Sequence, residues 1–463
     1  MKPTLLLALS LLPFTALAQT PAAPEAPAYE PRPIVDNIEL KDGDTLVFLG
    51  DSITHQCLYT QYIEDYYYTR FPKMRLHFHN SGVGGDRATD ALRRFDDDVA
   101  AYKPKYVTIL LGMNDGSYTN YQQSVFDTYQ TGMNAVLDRI KEIGAVAVPM
   151  TPTMHDSRAR RIHQAAKVSD VRETYYNGVL ALYGAWLQEQ AEVRGLGFVD
   201  MYSPLNTLTL QQRTKDPKWT MIRDAVHPGP AGQVIMACAI LADMVPRSTV
   251  SQTTIAERAG KPTITVGNGS ATGFSASPTK VAFTLTANAL PWVLPEDAAE
   301  GYKLAAAGHR YSNEKLTVQT LKAGKYELKI DDQPVGTWTA EQFARGVELE
   351  TNPKTPQYQQ AMQVALLNKK RNDEAYHPLR DQYAQLKGQR RAVLQATEAN
   401  APDLDAKKAA FEQWYAGQKA KVAEFLAKAK AIEDEIYQVN QPKPHRYELA
   451  PVAEPVKKRQ PGK

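Results

Sequence analysis

A serine near the start of the chain stands where an apolar segment gives way to a helical one, in the stretch FLGDSITHQ at residues 48–56. Two interpretations of Ser52 are open. A serine in front of a helix is commonly an N-cap, whose hydroxyl accepts a hydrogen bond from a free backbone N–H. A serine at a strand-to-helix turn can instead present its hydroxyl at the edge of a sheet as a nucleophile. The motif alone does not decide between the two.

Three more stretches of the chain contain the residue types that serine chemistry requires. They are NSGVGGD at residues 80–86, LGMNDGS at 111–117 and DAVHPGPAGQ at 224–233. Each is weak by itself, because glycine-rich and Asn-Asp turns are common connectors. The first two follow predicted strands and the third precedes the last predicted helix, so we expect all three to meet Ser52 at one edge of a sheet.

An acyl transfer from Ser52 needs a general base, because a serine hydroxyl is a poor nucleophile on its own. His227 is the candidate, since imidazole is the commonest base of this kind. Asp224, three residues earlier, can hold the ring of His227 in the required tautomer. These three residues are therefore predicted to be the catalytic set.

Attack by the hydroxyl creates an oxyanion, which must be met by hydrogen-bond donors already in place. The backbone N–H groups of Ser52 and Gly85 and the side-chain amide of Asn114 are the candidates. Glycine at position 85 would let the backbone approach the substrate without a Cβ in the way. Gly84 competes with Gly85 for this role, because the sequence does not separate two adjacent glycines.

The elements that must position these residues alternate between strands and helices. Apolar residues recur with helical spacing over residues 126–143 and 171–193. Such an alternation predicts a parallel sheet with helices on both faces, whose ligands bind beyond the carboxyl ends of the strands. The five predicted strands are residues 45–49, 75–78, 106–111, 145–148 and 197–199.

The four motifs together resemble those of the SGNH, or GDSL-type, hydrolases, a family of esterases and lipases. The matching blocks are GDSI with Ser52, GVGGD with Gly85, GMND with Asn114, and DAVH with Asp224 and His227. The resemblance covers residues 44–245 and implies an α/β fold, a flavodoxin-like three-layer α/β/α domain with a five-stranded parallel sheet. It also implies that Ser52 is the nucleophile, His227 the base and Asp224 its orienter. By the same resemblance Ser52, Gly85 and Asn114 form the oxyanion hole, with neither a metal nor another cofactor.

The rest of the chain divides at changes of composition. Alternating segments such as KYELKI at residues 325–330 predict a small β-rich module, in which Trp292 and Trp338 are interpreted as packing residues rather than a sugar-binding surface. Apolar residues in a 4-3 spacing, broken at 400–402, predict a helical hairpin. The predicted divisions are a signal peptide at 1–18, a linker at 19–35, the SGNH hydrolase domain at 36–250, the β-rich accessory module at 251–350, the helical hairpin at 351–440 and a disordered basic tail at 441–463.

The amino-terminal stretch MKPTLLLALSLLPFTALAQ has the basic start, apolar run and small-residue end of a secretory signal cleaved after Ala18. The protein is therefore expected to be exported, to the periplasm or the medium. No later stretch approaches ~20 consecutive apolar residues, so no integral membrane segment is expected. The formal net charge of +3 on 463 residues gives no argument for a nucleic-acid partner. The sequence does not fix an oligomeric state.

Cys57 and Cys238 are too few for a disulfide scaffold or a cysteine-based metal cluster. Under the resemblance, the first and last helices of the hydrolase domain contain these residues and lie on the same face of the sheet. A disulfide between the two is one hypothesis, and two separate buried thiols are the other.

Several other polar residues near the motifs are assigned structural roles. Asp51 and Asp115 are interpreted as turn and loop anchors, because the mechanism leaves them no task. The acidic run at residues 96–98 is expected to fan out over different faces of a helix and to be solvated. His77 and His79 have no evident third ligand, so the pair is interpreted as structural rather than metal-binding.

These observations predict an exported serine esterase that removes short acyl groups, acetyl above all, from a small ester or an acetylated glycan. The loops expected to line its pocket, residues 151–161 and 202–223, are mostly polar, which favours a small acyl group over a long one. Two alternatives stay open. One is a lysophospholipase- or thioesterase-type acyl hydrolase, and the other is a non-catalytic protein that binds glycan or the cell envelope.

Overall fold

The computed structural model describes residues 32–163, 172–245 and 249–452, so the predicted signal peptide lies outside the described residues. The first part of the chain is an α/β fold built on a parallel sheet. Its strands are β1 Thr45–Gly50, β2 His77–Gly82, β3 Tyr106–Leu110 and β4 Val146–Pro149. Their order is β2-β1-β3-β4, with β1 paired in parallel to β2 and β3, and β3 to β4.

The sheet has four strands rather than the five that were predicted. Beyond β4 the predicted fifth strand is represented by one parallel bridge between Met150 and Val199, where the N–H groups of Gly197 and Val199 donate to carbonyl oxygens of β4. The predicted strand at 75–78 is also displaced, since β2 begins at His77 and continues to Gly82. The first three residues of the NSGVGGD motif therefore belong to the strand and not to the loop.

Helices cover both faces of this sheet. Leu46, Val47, Phe48 and Leu49 of β1 are all 0% exposed, and successive strand side chains point to opposite faces, so neither face is open to solvent. The helix predicted over 126–143 is present, and the one predicted over 171–193 begins at Arg172, with residue 171 outside the described ranges. The helices are α1 Ser52–His55, α2 Leu58–Arg70, α3 Ala88–Arg93, α4 Phe95–Asp98, α5 Gln123–Glu142, α6 Ser157–His163, α7 Arg172–Arg194, α8 Tyr202–Arg213 and α9 Pro230–Met244.

The following part of the chain contributes two further sheets and three short helices. The strands are β5 Ser251–Arg258, β6 Lys261–Gly267, β7 Gly269–Ala276, β8 Val281–Ala287, β9 Glu314–Val318, β10 Lys325–Ile330, β11 Gln333–Thr339, β12 Val347–Glu348 and β13 His445–Pro451. The helices are α10 Ala299–Leu304, α11 Ala307–Tyr311 and α12 Ala340–Arg345. One sheet has the order β11-β10-β13-β8-β7 and the other β12-β9-β5-β6.

Strand β13 corrects the prediction of a disordered tail at 441–463. Its residues pair antiparallel with both β8 and β10, in the middle of a five-stranded sheet. Tyr447 and Leu449 alternate into the apolar core of that sheet, which is the period-2 pattern of a half-buried strand. The prolines and basic residues around this short run conceal the pattern in the sequence. Residues 453–463 of the predicted tail lie outside the described ranges.

Three long helices separate β12 from β13 in the chain. They are α13 Pro356–Arg371, α14 His377–Glu398 and α15 Leu404–Val439. A π-helical turn, Asn372–Tyr376, joins α13 to α14 without a break. The predicted hairpin at 351–440 therefore differs in having a third helix, α13, that runs directly into α14. Helix α13 packs on α2 of the α/β domain.

The contact between α13 and α2 explains an otherwise unusual helix. Helix α2 buries residues on all its sides, including Glu64 and Asp65, which a surface helix would expose. Arg371 donates to Glu64 Oε2 at 3.2 Å, and Asn368 donates to Asp65 Oδ1 at 2.9 Å. The carboxylates of α2 are thus covered and paired by residues more than 300 positions later.

The prediction that residues 96–98 are solvated is wrong for Asp98. The three carboxylates do fan out, but Asp98 is 0% exposed and is held by Arg94 at 2.6 Å and by Arg380 of α14 at 2.7 Å. His79, which is buried and stacked on Tyr102, also bonds to Asp98 at 2.9 Å. Arg94 is a local partner, whereas Arg380 of α14 is a second counter-charge that the sequence around residues 96–98 does not indicate.

The predicted packing roles of the two tryptophans are confirmed. Trp292 is 0% exposed, and its indole N–H donates to the carbonyl oxygen of Tyr62 at 3.0 Å, which joins the segment after β8 to α2. Trp338 is half-buried and packs on Phe343. None of the helices within the described residues is sufficiently long and apolar to span a membrane.

The two cysteines are buried, free thiols, so the disulfide hypothesis is wrong. Cys57 lies at the turn before α2, where it packs with Val83 and with Tyr376 and Leu379 of the carboxyl-terminal helices. Cys238 lies in α9, in the core of the α/β domain. The two thiols therefore lie in different apolar clusters of the protein.

Candidate active site

Ser52 is the first residue of α1, directly beyond the carboxyl end of β1. The N-cap of this helix is Asp51, whose Oδ1 accepts a hydrogen bond from the N–H of Ile53 at 2.9 Å. Asp51 therefore carries out the capping that Ser52 could have provided, and the Ser52 hydroxyl is available for another contact. The interpretation of Asp51 as a turn anchor is confirmed.

A close backbone approach makes this turn possible. A Cβ on Gly82, at the end of β2, would come within 2.3 Å of the His55 backbone nitrogen and 2.5 Å of the Thr54 carbonyl carbon. Both neighbours are main-chain atoms of the α1 turn and cannot move aside as a side chain could. Glycine at position 82 thus lets α1 sit against the end of the neighbouring strand.

The structure brings Ser52, His227 and Asp224 into one hydrogen-bonded chain. His227 Nε2 lies 2.8 Å from Ser52 Oγ, and His227 Nδ1 lies 2.6 Å from Asp224 Oδ2. The other carboxylate oxygen of Asp224 accepts from the backbone N–H groups of Val226 and His227 at 3.0 and 2.8 Å. The aspartate is consequently fixed by its own loop while it orients the imidazole.

The electrostatics of this chain favour an imidazole poised to take a proton. The hydrogen bond to Asp224 raises the pKa of His227, against the opposite effect of burial. Burial by itself would raise the pKa of Asp224, but its hydrogen bonds to His227 and to the backbone lower it to about 2. Asp224 is therefore a carboxylate at neutral pH, and His227 Nδ1 carries the hydrogen between them.

Gly85 and Gly84 differ in what their backbone N–H groups contact. The N–H of Gly84 donates to His55 Nδ1 at 3.3 Å, and burial lowers the pKa of His55 to about 4, which keeps that nitrogen an acceptor. No acceptor for the N–H of Gly85 is found among the described residues. Gly85 has φ of +71°, in the left-handed region that glycine adopts without strain. The geometry favours Gly85 as the group that is free to bind an incoming oxyanion.

Asn114 links the loops of the first and second motifs. Its Nδ2 donates to the carbonyl oxygen of Asp86 at 3.1 Å and lies 3.4 Å from Asp51 Oδ2. The hydroxyl of Tyr118 donates to Asn114 Oδ1 at 3.0 Å, which sets the orientation of the amide. The NH₂ group of Asn114 therefore contacts the residues that adjoin Ser52 and Gly85 in the chain.

Two of the surrounding carboxyl groups are buried close to the serine. Burial, aided by Asp115 and Asp86, raises the pKa of Asp51 to about 7, and burial raises that of Asp115 to about 6. Asp115 Oδ1 accepts from the N–H of Ala88 at 2.9 Å, which confirms its interpretation as a loop anchor. These groups hold the loops together, and the charge of Asp51 also helps to raise the pKa of His227.

An open cavity of about 510 Å³ lies against the imidazole. Charged, polar and apolar groups all contribute to its wall, and Trp219 is the one large aromatic side chain among its lining residues, with its indole N–H donating to Glu300 Oε1 at 3.3 Å. One guanidinium nitrogen of Arg213, Nη2, donates to both carboxylate oxygens of Asp156, and Arg213 Nε donates to the carbonyl oxygen of Trp219 at 2.9 Å, which fixes the loop before Trp219. The lining includes His163, Lys218, Trp219, Thr220, Met221, Arg223, Asp297 and Glu300.

The residues that sequence reasoning missed come from two places. Asp86 ends the second motif, but it was given no role, although its carbonyl oxygen binds Asn114. Lys387 of α14 approaches the same loop from the far end of the chain, and no motif surrounds it. Within the described ranges, no group of three or more His, Cys, Asp or Glu side chains is arranged to hold a metal ion.

Comparisons with known proteins place these residues in a wider context. Residues 48–235 match the sequence model of the GDSL-like Lipase/Acylhydrolase family. The chain is 24% identical over 229 residues to an acetylxylan esterase of Geobacillus stearothermophilus, a match that covers 45% of this chain and 96% of that protein. A solved structure of that organism's acetylxylan esterase gives 22% identity, a TM-score of 0.36, and coverage of 44% of this chain and 96% of that one.

A second solved structure is similar over a much larger part of the chain. It is a gut microbial diltiazem-metabolizing enzyme, with 25% identity and a TM-score of 0.76. The match covers 90% of this chain and 100% of that chain. The similarity therefore extends beyond the α/β domain into the sheets and helices that follow it.

Proposed function

We propose that this protein is an exported serine esterase that removes short acyl groups, acetyl above all, from carbohydrate. The premise is that residues 48–235 match the GDSL-like Lipase/Acylhydrolase family model, which makes the chain a carboxylic ester hydrolase. The observation that carries the proposal is the chain of hydrogen bonds from Ser52 through His227 to Asp224, at 2.8 and 2.6 Å. A scaffold that only binds glycan has no physical need for this combination.

We assign the chemical roles as follows from that chain of contacts. His227 Nε2 accepts the Ser52 hydroxyl proton as Oγ attacks the ester carbonyl carbon and forms a new C–O bond. The imidazolium then gives that proton to the leaving alcohol as the bond to the alcohol breaks, which leaves an acyl group on Ser52. Water, deprotonated by His227, then attacks the acyl carbon, the bond from that carbon to Ser52 Oγ breaks, and the imidazolium returns the proton to Oγ as the carboxylic acid is released. Asp224 stabilises the imidazolium at both stages.

The oxyanion of each tetrahedral intermediate would be bound by the N–H groups of Ser52 and Gly85 and by the amide of Asn114. As the first residue of α1, Ser52 has an N–H that lacks a carbonyl partner in the preceding turn. The N–H of Gly85 has no acceptor among the described residues, and Asn114 is oriented by Tyr118. Preorganised donors of this kind stabilise charge that appears only in the transition state.

Carbohydrate is favoured as the substrate by the cavity beside His227. Charged side chains such as Lys218, Asp297 and Glu300 interrupt the apolar surface that a long acyl chain would need, and they can bind the polar groups of a sugar. Trp219 offers a flat face on which a sugar ring can stack. The relative from Geobacillus stearothermophilus is an acetylxylan esterase, which agrees with an acetylated polysaccharide as the substrate.

Export and the finer division of the chain are also part of the proposal. The amino-terminal stretch with its small-residue cleavage site after Ala18 supports a periplasmic or secreted location. We further propose that the SGNH domain is followed by a β-rich module and a helical hairpin that act as parts of the same enzyme. The sheets built from β5 to β13 and the packing of α13 on α2 support this division.

The test is a comparison of acyl lengths with a serine control. The mature protein is assayed on p-nitrophenyl acetate and p-nitrophenyl octanoate, and Ser52→Ala is assayed beside it. We expect the acetate to be cleaved with the higher kcat/KM and the variant to lose the activity. Release of acetate from acetylated xylan, measured on the same two proteins, then tests the carbohydrate substrate.

Each alternative has its own result. A preference for the octanoate would favour a lysophospholipase- or thioesterase-type hydrolase. No Ser52-dependent cleavage of either ester, together with measurable affinity for glycan, would favour the non-catalytic binding protein. Acetate cleavage without any release from acetylated xylan would leave the esterase in place and contradict this polysaccharide as its substrate.

A further inference from the structure

A lysine from the far end of the chain reaches the loop that carries Gly85. Lys387 Nζ lies 2.9 Å from Asp86 Oδ1 and donates to the carbonyl oxygen of Gly84 at 3.3 Å. The same ammonium is 3.8 Å from the place where a Cβ on Gly85 would be. Lys387 therefore contacts the residues on both sides of Gly85.

Asp86 needs both of its cationic partners because it is completely buried. Arg94 Nε donates to Asp86 Oδ2 at 2.7 Å, and the ammonium of Lys387 lies beside the other carboxylate oxygen. A buried carboxylate is stable only when its oxygens are paired or hydrogen-bonded. Among the described residues, Lys387 is the one cation next to Asp86 Oδ1, so its removal would leave that oxygen without a counter-charge.

Helix α14 holds Lys387 in a fixed position. Seven residues before it, Arg380 is buried and bonds to Asp98 at 2.7 and 2.9 Å. Three residues after it, Arg390 bonds to Asp97 at 2.6 Å. The lysine thus projects from a helix that is attached to the hydrolase domain on either side of it. Its long side chain is only 22% exposed, which restricts its freedom further.

The loop that Lys387 contacts also sets the position of the third oxyanion donor. The carbonyl oxygen of Asp86 accepts from Asn114 Nδ2 at 3.1 Å. A shift of the loop would therefore move both the N–H of Gly85 and the amide of Asn114. A displacement of about 1 Å at such groups can cost on the order of 10²-fold in rate.

We propose that Lys387 is a positioning residue of the oxyanion hole, which makes helix α14 a component of the active site rather than a separable accessory. The inference rests on the proposed function and adds to it a residue outside the α/β domain. It implies that the ester is bound normally when Lys387 is lost, while the stabilisation of the tetrahedral intermediate is weakened. The expected signature is a fall in kcat with little change in KM.

The experiment compares three variants of the full-length mature protein on p-nitrophenyl acetate, with kcat, KM and the thermal midpoint measured for each. Lys387→Met keeps the length of the side chain and removes the ammonium. Lys387→Arg restores a cation that can bind Asp86. Arg390→Met is the matched control, because it removes a cation from the same helix whose partners are Asp97 and the carbonyl oxygen of Arg93, not the Gly84–Asp86 loop.

We expect Lys387→Met to lower kcat by about 10-fold to 10²-fold with KM within about 2-fold, on the magnitude for misplaced catalytic groups. Lys387→Arg should recover most of that loss, and Arg390→Met should keep the parent kcat even if its thermal midpoint falls. Equal kcat in Lys387→Met and the parent protein would overturn the inference. So would equal losses of kcat in Lys387→Met and Arg390→Met that follow their thermal midpoints, because these would indicate a general structural role.

The parent protein separates this inference from the proposed function. If it cleaves p-nitrophenyl acetate in a Ser52-dependent manner, the variants decide the role of Lys387 alone. If it shows no Ser52-dependent cleavage, the proposed function is contradicted, and the positioning role is overturned with it.

Discussion

Three consecutive aspartates lie in three different environments, and replacing each by asparagine tests how the carboxyl-terminal helices are attached. Asp96 is 79% exposed beside Arg139, Asp97 is 27% exposed beside Arg390, and Asp98 is 0% exposed beside Arg94 and Arg380. Asparagine has nearly the same shape as aspartate, so the substitution removes the charge and little else. The sequence alone would give all three the same solvated role.

The expected loss of stability follows from what each substitution leaves behind. After Asp98→Asn, Arg94 keeps Asp86 at 2.7 Å, but Arg380 loses its anionic partner while it stays buried. An uncompensated buried charge of this kind costs about 3–5 kcal/mol. Asp97→Asn breaks a partly exposed pair and should cost less than about 1 kcal/mol. Asp96→Asn should produce no measurable change.

The assay is urea-induced unfolding at pH 7, followed by far-UV circular dichroism, with the three variants compared under the same conditions. The urea midpoint should be lowest for Asp98→Asn, higher for Asp97→Asn and highest for Asp96→Asn. The double variant Asp98→Asn with Arg380→Met should recover part of the loss, because it removes the isolated charge. A midpoint for Asp98→Asn no lower than that for Asp97→Asn would refute the reasoning.

Three shorter predictions concern the site and the thiols. Because the pKa of His227 is raised and the base must be neutral, kcat/KM should fall as the pH decreases, with a midpoint above the usual histidine pKa of about 6.5. Asp224→Asn should move this midpoint to lower pH. A midpoint that the substitution does not move would contradict the role of the aspartate. Asn114→Ala should lower kcat on p-nitrophenyl acetate by about 10²–10³-fold, as expected for one oxyanion donor, and a loss below about 10-fold would exclude it as one. Titration of the denatured, unreduced protein with a thiol reagent should find both Cys57 and Cys238 free, whereas no free thiol would indicate a disulfide.

The site was more predictable than the fold because its residues lie in short motifs that can be identified in the sequence. Ser52, His227 and Asp224 come together as their motifs indicated, since parallel strands deliver their following loops to one edge of the sheet. The sequence does not separate Gly84 from Gly85, because the difference between them depends on the direction of a single N–H in the folded loop. Lys387 was not predictable, because its importance arises only when α14 is docked on the loop.

The features of the fold that escaped prediction all depend on contacts distant in sequence. Asp98 is buried because Arg380, 282 residues later, packs over it. The backbone of β13 is extended because it pairs with β8 on one side and β10 on the other. Its own seven residues are too few for their alternation to predict a strand. Local periodicity predicted α5 well, since Tyr129, Met133, Val136 and Ile140 face the core of its own domain.

The measurement that tests the central claim most directly is covalent trapping of the nucleophile. A fluorophosphonate is incubated with the mature protein, and the modified residue is located by peptide mass spectrometry. We expect the Ser52 oxygen to form a bond to phosphorus with loss of fluoride, esterase activity to disappear in parallel, and neither event to occur in Ser52→Ala. Full esterase activity in Ser52→Ala, or inactivation through an adduct on another residue, would contradict the assignment of Ser52 as the nucleophile.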